Sequence, residues 1–197
     1  MNKTELNSVV KGCLRGKTNA QKELYDQFSK DMFKICLMYG KDYDKANDLL
    51  QEGFIKVFHN LHKYDTHGAL GGWIRRVIVN VCIDAHRADK WSKNRQSLEE
   101  SIEYELQDED PLDPGQIYER DDFLRIIKGL PTGYSTILNL YFLEEMKHAE
   151  IAEKLDISVG TSKSQLFKAK RYLKNILVQN LSKEELEKYE GFSRKEV

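Results

Sequence analysis

A stretch of twenty-four residues near the middle of the chain, Glu99 to Asp122, decides how the rest can fold. It reads EESIEYELQDEDPLDPGQIYERDD, holds 11 acidic side chains against 1 basic, and contains two of the 3 prolines as Asp-Pro pairs. Proline fixes its own backbone and pushes the residue before it out of the helical region, while a run of like charge resists packing. No apolar period survives across the stretch, so it reads as a linker between two bodies.

Both bodies are expected to be helical. Upstream, apolar residues recur at helical spacing as Leu24, Phe28, Met32, Ile35 and Tyr39, as Ala46, Leu50, Phe54, Val57 and Leu61, and as Leu70, Ile74, Val77, Val81 and Ala85. A short helix around Leu6 to Leu14 leads them, with joints near Gly16, Gly40 and Thr66 to Gly68. Downstream, Ile117 to Ile127 looks helical, and Thr132 or Gly133 is placed to cap a helix to about Leu143. Ala149 to Leu155 forms a short helix, and Ser158 caps a longer one reaching about Asn180. With only 12 Gly and 32% charged residues, the composition suits amphipathic helices better than turn-rich sheets. The expected fold is all-α, with a first domain over 1–95, an acidic linker over 96–116, a second domain over 117–180 and a charged tail over 181–197.

The net charge of -1 hides an uneven distribution. Residues 1–98 carry 17 basic and 11 acidic side chains, and residues 123–197 carry 13 and 10, so two mildly basic bodies flank the acidic linker. No apolar run approaches the roughly 18 residues of a membrane span, and the first residues lack the apolar core of a secretory signal, so a cytoplasmic protein without membrane insertion is expected. Cys13, Cys36 and Cys82 are odd in number and never paired as C-x-x-C, which suits buried free thiols. His59, His62 and His67 lack a nearby fourth ligand, and no phosphate-binding loop, nucleophile elbow or H-E-x-x-H helix occurs, so neither metal, cofactor nor catalytic residue is expected.

Two segments carry recognition chemistry instead. In HAEIAEKLDISVGTSKSQLFKAKRYLKNIL, Ile151, Ala152 and Leu155 point inward from a short helix, Ile157 sits in a turn, and Val159 starts an apolar stripe continued by Leu166, Ala169, Leu173 and Ile176. That is a helix-turn-helix pattern. Its opposite face gathers Thr161, Ser164, Gln165, Lys168 and Arg171. Gln and Arg pair bidentately with base edges, and Lys163, Lys168 and Lys170 can reach phosphates.

In the first body, Asp44, Asp48, Gln51 and Glu52 align as an acidic stripe suited to an arginine-rich protein surface. On the next helix Trp73, Arg76, Asn80, Asp84 and Arg87 share a side, interleaving aromatic and basic groups as a single-stranded nucleic acid requires.

The order of Asp48-Leu49-Leu50-Gln51-Glu52-Gly53-Phe54, Trp73-Ile74-Arg75-Arg76 with Asn80 and Ile83-Asp84, Leu130-Pro131, and Ile151-Ala152 through Gly160-Thr161-Ser162-Lys163-Ser164 resembles the extracytoplasmic-function (ECF, group IV) sigma factors of bacterial RNA polymerase. The resemblance spans about residues 15 to 180. It implies that the first domain docks on the β′ clamp helices through Asp44, Asp48, Gln51, Glu52 and Phe54. It implies that Tyr64 to Gly72, with Trp73, Arg76, Asn80 and Arg87, hold the opened minus-10 element. It assigns the minus-35 element to Thr161, Ser162, Lys163, Ser164, Gln165, Lys168 and Arg171, in a domain that also touches the β flap. A restraining anti-sigma factor is a further implied partner. Three positions depart from the family pattern: Arg75 replaces an aromatic, Asp156 a glycine in the turn, and Gln165 an arginine. The other readings are a stand-alone helix-turn-helix regulator, for which no ligand pocket is evident upstream, and a nucleotide-processing enzyme, for which the linker carboxylates lack metal-binding spacing.

Overall fold

The computed structural model describes residues 3–40, 42–65, 68–93 and 129–180, and every regular element among them is helical. The expected acidic linker 96–116, the helix over 117–127 and the tail 181–197 lie outside the described residues. The chain divides into two compact units between Ala85 and His86.

In the first unit, α1 (Lys3–Leu14), α2 (Thr18–Tyr39), α3 (Tyr43–Asn60) and the part of α4 (Leu70–Lys93) up to Ala85 follow the apolar periods, with a single tighter turn at Leu61–Lys63 after α3. The α3 start is set by Asp42, whose carboxylate accepts the Lys45 N–H at 2.7 Å and satisfies a donor the helix itself leaves open. Leu24, Leu61, Leu70, Ile74 and Ile78 are almost wholly removed from water and form the centre of the core. The three cysteines are buried free thiols. Two glycines mark where backbones pass closely. A Cβ on Gly12 would lie 2.6 Å from the Cβ of Ala20, and one on Gly53 would run into Ile78, so α1 meets α2 and α3 meets α4 at these points.

The second unit begins differently from the sequence expectation. Neither Thr132 nor Gly133 caps α5 (Thr132–Leu138); Pro131 does, and its carbonyl accepts the N–H groups of Tyr134 and Ser135. The Pro131 backbone, at φ -54° and ψ 141°, is non-helical, as the residue before the first helical turn must be. Thr132 lies inside the first turn, where its carbonyl takes the hydroxyls of buried Ser135 (3.1 Å) and Thr136 (2.8 Å). The helix then widens over Asn139–Leu143, where the Glu144 N–H reaches back five residues to the Asn139 carbonyl.

Two further helices complete the unit. They are α6 (His148–Leu155) and α7 (Val159–Asn180). Ile151, Ala152, Leu155, Leu166, Ala169 and Leu173 are buried as expected, but Val159 is not: it is 43% exposed in the first turn of α7, before that helix reaches its partners.

The turn between α6 and α7 rests on Asp156, whose backbone is left-handed at φ 54° and ψ 54°. An L-residue with a Cβ is strained there, and glycine is not. Asp156→Gly is therefore expected to stabilise the protein by about 1 kcal/mol, read as a raised urea midpoint with unchanged slope. A lowered midpoint would show that the Asp156 side chain contributes more than its backbone strain costs.

Candidate docking and nucleic-acid surfaces

On α3, Asp44, Asp48, Gln51 and Glu52 are all exposed and share a side. Phe54 does not join them. It is 3% exposed, with its ring 4.7 Å from Tyr25 and 6.1 Å from Phe58, because position 54 falls in line with Leu50 and Val57 on the core side. Its placement among the docking residues is thereby corrected: Phe54 supports the stripe from beneath. The side chain that charge pattern alone does not flag is Ile55, 57% exposed, one turn beyond Gln51 and Glu52.

Lys56 links this stripe to the next helix. Its ammonium lies 3.1 Å from Glu52 and 3.5 Å from Asp84 on α4. Burial pulls the Lys56 pKa down, but the hydrogen bonds and charges of the two carboxylates outweigh it and hold the group above the ordinary lysine value.

Along α4, Arg76, Asn80 and Asp84 are exposed and Trp73 is half-buried. The Trp73 ring lies 5.8 Å from that of Tyr64, whose hydroxyl donates to the Gly68 carbonyl at 2.6 Å. The hydrogen bond ties the loop ahead of α4 to its own start and leaves an aromatic pair beside the cationic side of the helix. Thr66 and His67 of that loop lie outside the described residues. Arg87, half-buried, sits a turn beyond Asp84 and past the division between the units.

The helix-turn-helix is built as the sequence indicates at its cap: Ser158 Oγ accepts the Thr161 N–H at 2.9 Å. Lys163, Ser164 and Lys168 are exposed, and Thr161 and Arg171 are half-buried. Gln165 is half-buried at the flank of this face, its amide oxygen 3.9 Å from where a Gly133 Cβ would stand.

Ser162 is a second correction. It has no solvent exposure, and its hydroxyl is hydrogen-bonded to His148 Nδ1 at 3.0 Å, so it joins α6 to α7 and does not face a ligand. Position 162 falls in the stripe of Val159, Leu166, Ala169 and Leu173, so helical spacing points it inward although its side chain is polar.

His148 also stacks on Tyr141, ring centroids 5.1 Å apart. Burial, and then the charges of Lys163 and Lys170, hold its imidazole below the ordinary histidine pKa of 6.5. The unfolded chain therefore binds this proton more readily than the folded one. Stability from His148 is fully present above about pH 6.5 and is lost as the pH falls through that value toward the folded pKa. Urea midpoints at pH 7.5 and 5.5 are expected to differ less for His148→Asn than for wild type. An equal difference would remove His148 from the pH response.

Residues 24–92 match the family description Sigma-70 region 2, and residues 120–173 match Sigma-70, region 4. A helical unit of the first kind joined to a helix-turn-helix of the second defines a transcription initiation factor that binds DNA. The chain is 30% identical over 152 residues to the ECF RNA polymerase sigma factor SigM of Bacillus subtilis (strain 168), covering 77% of this chain and 91% of that protein. It is likewise 30% identical over 159 residues to the RNA polymerase sigma factor SigV of the same organism, covering 80% and 88%. Among solved structures, the sigma factor RpoE in complex with the anti-sigma factor NepR from Bartonella quintana aligns over 81% of this chain and 98% of that one, with 17% identity and a TM-score of 0.46. The chain belongs to the ECF sigma factors of the sigma-70 family, and it directs RNA polymerase to promoters. No described helix is long and apolar enough to cross a membrane.

Proposed function

We propose that the three surfaces divide the work of initiation. The α3 stripe of Asp44, Asp48, Gln51 and Glu52 docks on the β′ clamp helices of core polymerase. The loop and α4 side bearing Tyr64, Trp73, Arg76, Asn80 and Arg87 hold the separated minus-10 strand. The α7 face of Thr161, Lys163, Ser164, Gln165, Lys168 and Arg171 reads the minus-35 duplex, and the same unit touches the β flap. The protein supplies contacts and no catalysis, works in the cytoplasm, and has an anti-sigma factor among its partners. Its domains run over 1–95 and 117–180, joined by the acidic segment.

The observation that carries this reading is the separation of charge and ring chemistry on α3 and α4. One helix exposes carboxylates, which suit a cationic protein, and its neighbour exposes Arg76 and Asn80 beside the Tyr64–Trp73 pair, which suits phosphates and unstacked bases. A stand-alone regulator has no use for such a division.

Arg76→Ala and Asn80→Ala are expected to slow promoter opening more than they weaken initial duplex binding. A template with a pre-melted bubble removes the unstacking cost, about a few kcal/mol, that these contacts offset, and is expected to rescue both variants. Permanganate footprints on duplex and bubble templates measure this. Defects of equal size on the two templates would remove the α4 face from strand binding.

A further inference from the structure

We propose that Lys56 is a shared counter-ion that couples polymerase docking to strand binding, by neutralising Asp84 on the α4 face more fully once a cation of polymerase has taken over Glu52. The proposal rests on the reading given above for α3 and α4.

One ammonium stands between two carboxylates of different surfaces, 3.1 Å from Glu52 in the acidic stripe and 3.5 Å from Asp84 on α4. Asp84 lies one helical turn after Asn80 and two after Arg76, so a carboxylate is set into the side assigned to a polyanion. Left alone it repels the strand. In the free protein Lys56 cannot fully balance two negative charges, and the trio carries one surplus negative charge. Docking supplies the missing positive charge at Glu52, and the Lys56 charge is then available to Asp84 alone.

The geometry favours exchange over a fixed structural pair. The side chains of Lys56, Glu52 and Asp84 are 41%, 54% and 60% exposed, so water screens each contact and neither is expensive to break. The backbones beneath are held close, because Gly53 offers no Cβ to Ile78, and the bridge therefore spans a fixed gap. Coupling of this kind is reciprocal: a strand held near Asp84 draws Lys56 toward it and leaves Glu52 freer for polymerase.

The test uses full-length variants in reconstituted holoenzyme, bound to a fluorescent fork-junction DNA with a single-stranded minus-10 segment. Lys56→Met is expected to weaken fork binding about fivefold, and Lys56→Arg to restore most of it. Lys56→Met with Asp84→Asn is expected to bind within about twofold of wild type, because the charge that needed neutralising is gone. Affinity of Lys56→Met for core polymerase is expected to be equal or higher, since Glu52 is released. If the double variant stays as weak as Lys56→Met, Lys56 does not act through Asp84 and the proposal fails. Arg76→Ala separates the two kinds of failure. If Arg76→Ala weakens fork binding and Lys56→Met does not, the coupling is wrong and the strand face stands; if neither does, the strand face itself is wrong.

Discussion

Replacing Asp48 and Glu52 together by Lys is expected to abolish retention of core RNA polymerase. Both side chains are exposed on α3 and neither belongs to the core, so the fold is expected to survive. At an interface each reversal converts attraction into like-charge repulsion, which costs several kcal/mol, and about 1.4 kcal/mol is already tenfold in affinity. At position 52 the new ammonium would also face Lys56 one turn away, a local penalty of only about 0.2 to 0.5 kcal/mol that leaves the helix formed. Tagged protein incubated with purified core enzyme, beside a circular-dichroism spectrum, decides the matter. Native helicity with undiminished retention of β′ would exclude the stripe from the interface.

The second large effect is expected at Ile151, which has no exposed surface and packs within the helix-turn-helix. Truncation to Ala removes buried methyl groups and leaves a cavity that small helical units close poorly, at a cost of about 2 to 5 kcal/mol. That is a large share of the stability of any single domain. Minus-35 discrimination should fall with it, while Ile151→Val, costing about 0.5 to 1.5 kcal/mol, should keep it. The readouts are a urea melt and transcription from a randomised minus-35 library. Unchanged discrimination by a destabilised Ile151→Ala protein would mean that α6 is not needed to present α7.

The helices were legible because burial writes a period into sequence: Leu24, Ile74, Val81 and Leu173 are where a 3.6-residue stripe places them, and each is buried. The family was legible for another reason, since short motifs kept in order are more specific than any one of them. What neighbouring residue type obscured were two positions that the periodic stripes themselves contain. Phe54 adjoins the acidic residues in sequence yet turns to Tyr25, and Ser162 lies among polar neighbours yet is sealed against His148. Contacts between elements were equally silent. The Lys56–Asp84 pair spans twenty-eight positions, and nothing periodic joins its two members. Val159 failed as an inward residue because an apolar side chain in the first turn of a helix has no neighbour ahead of it to cover it.

The Ser162–His148 hydrogen bond restricts how α7 can lie against α6. An apolar pair at that crossing would tolerate small slides and rotations of α7 against α6 at little energetic cost, because contact area changes slowly with such movements. A hydrogen bond at 3.0 Å between a fully buried hydroxyl and a stacked imidazole does not, since losing it strands a polar atom away from water. Where α7 reads the minus-35 duplex, as proposed, its angle sets which base edges each side chain can reach. A few misplaced degrees would blur every position at once. On that reading, a well-packed apolar replacement of both residues is expected to leave the unit as stable or more so while minus-35 discrimination falls, measured by a urea melt and a randomised minus-35 library.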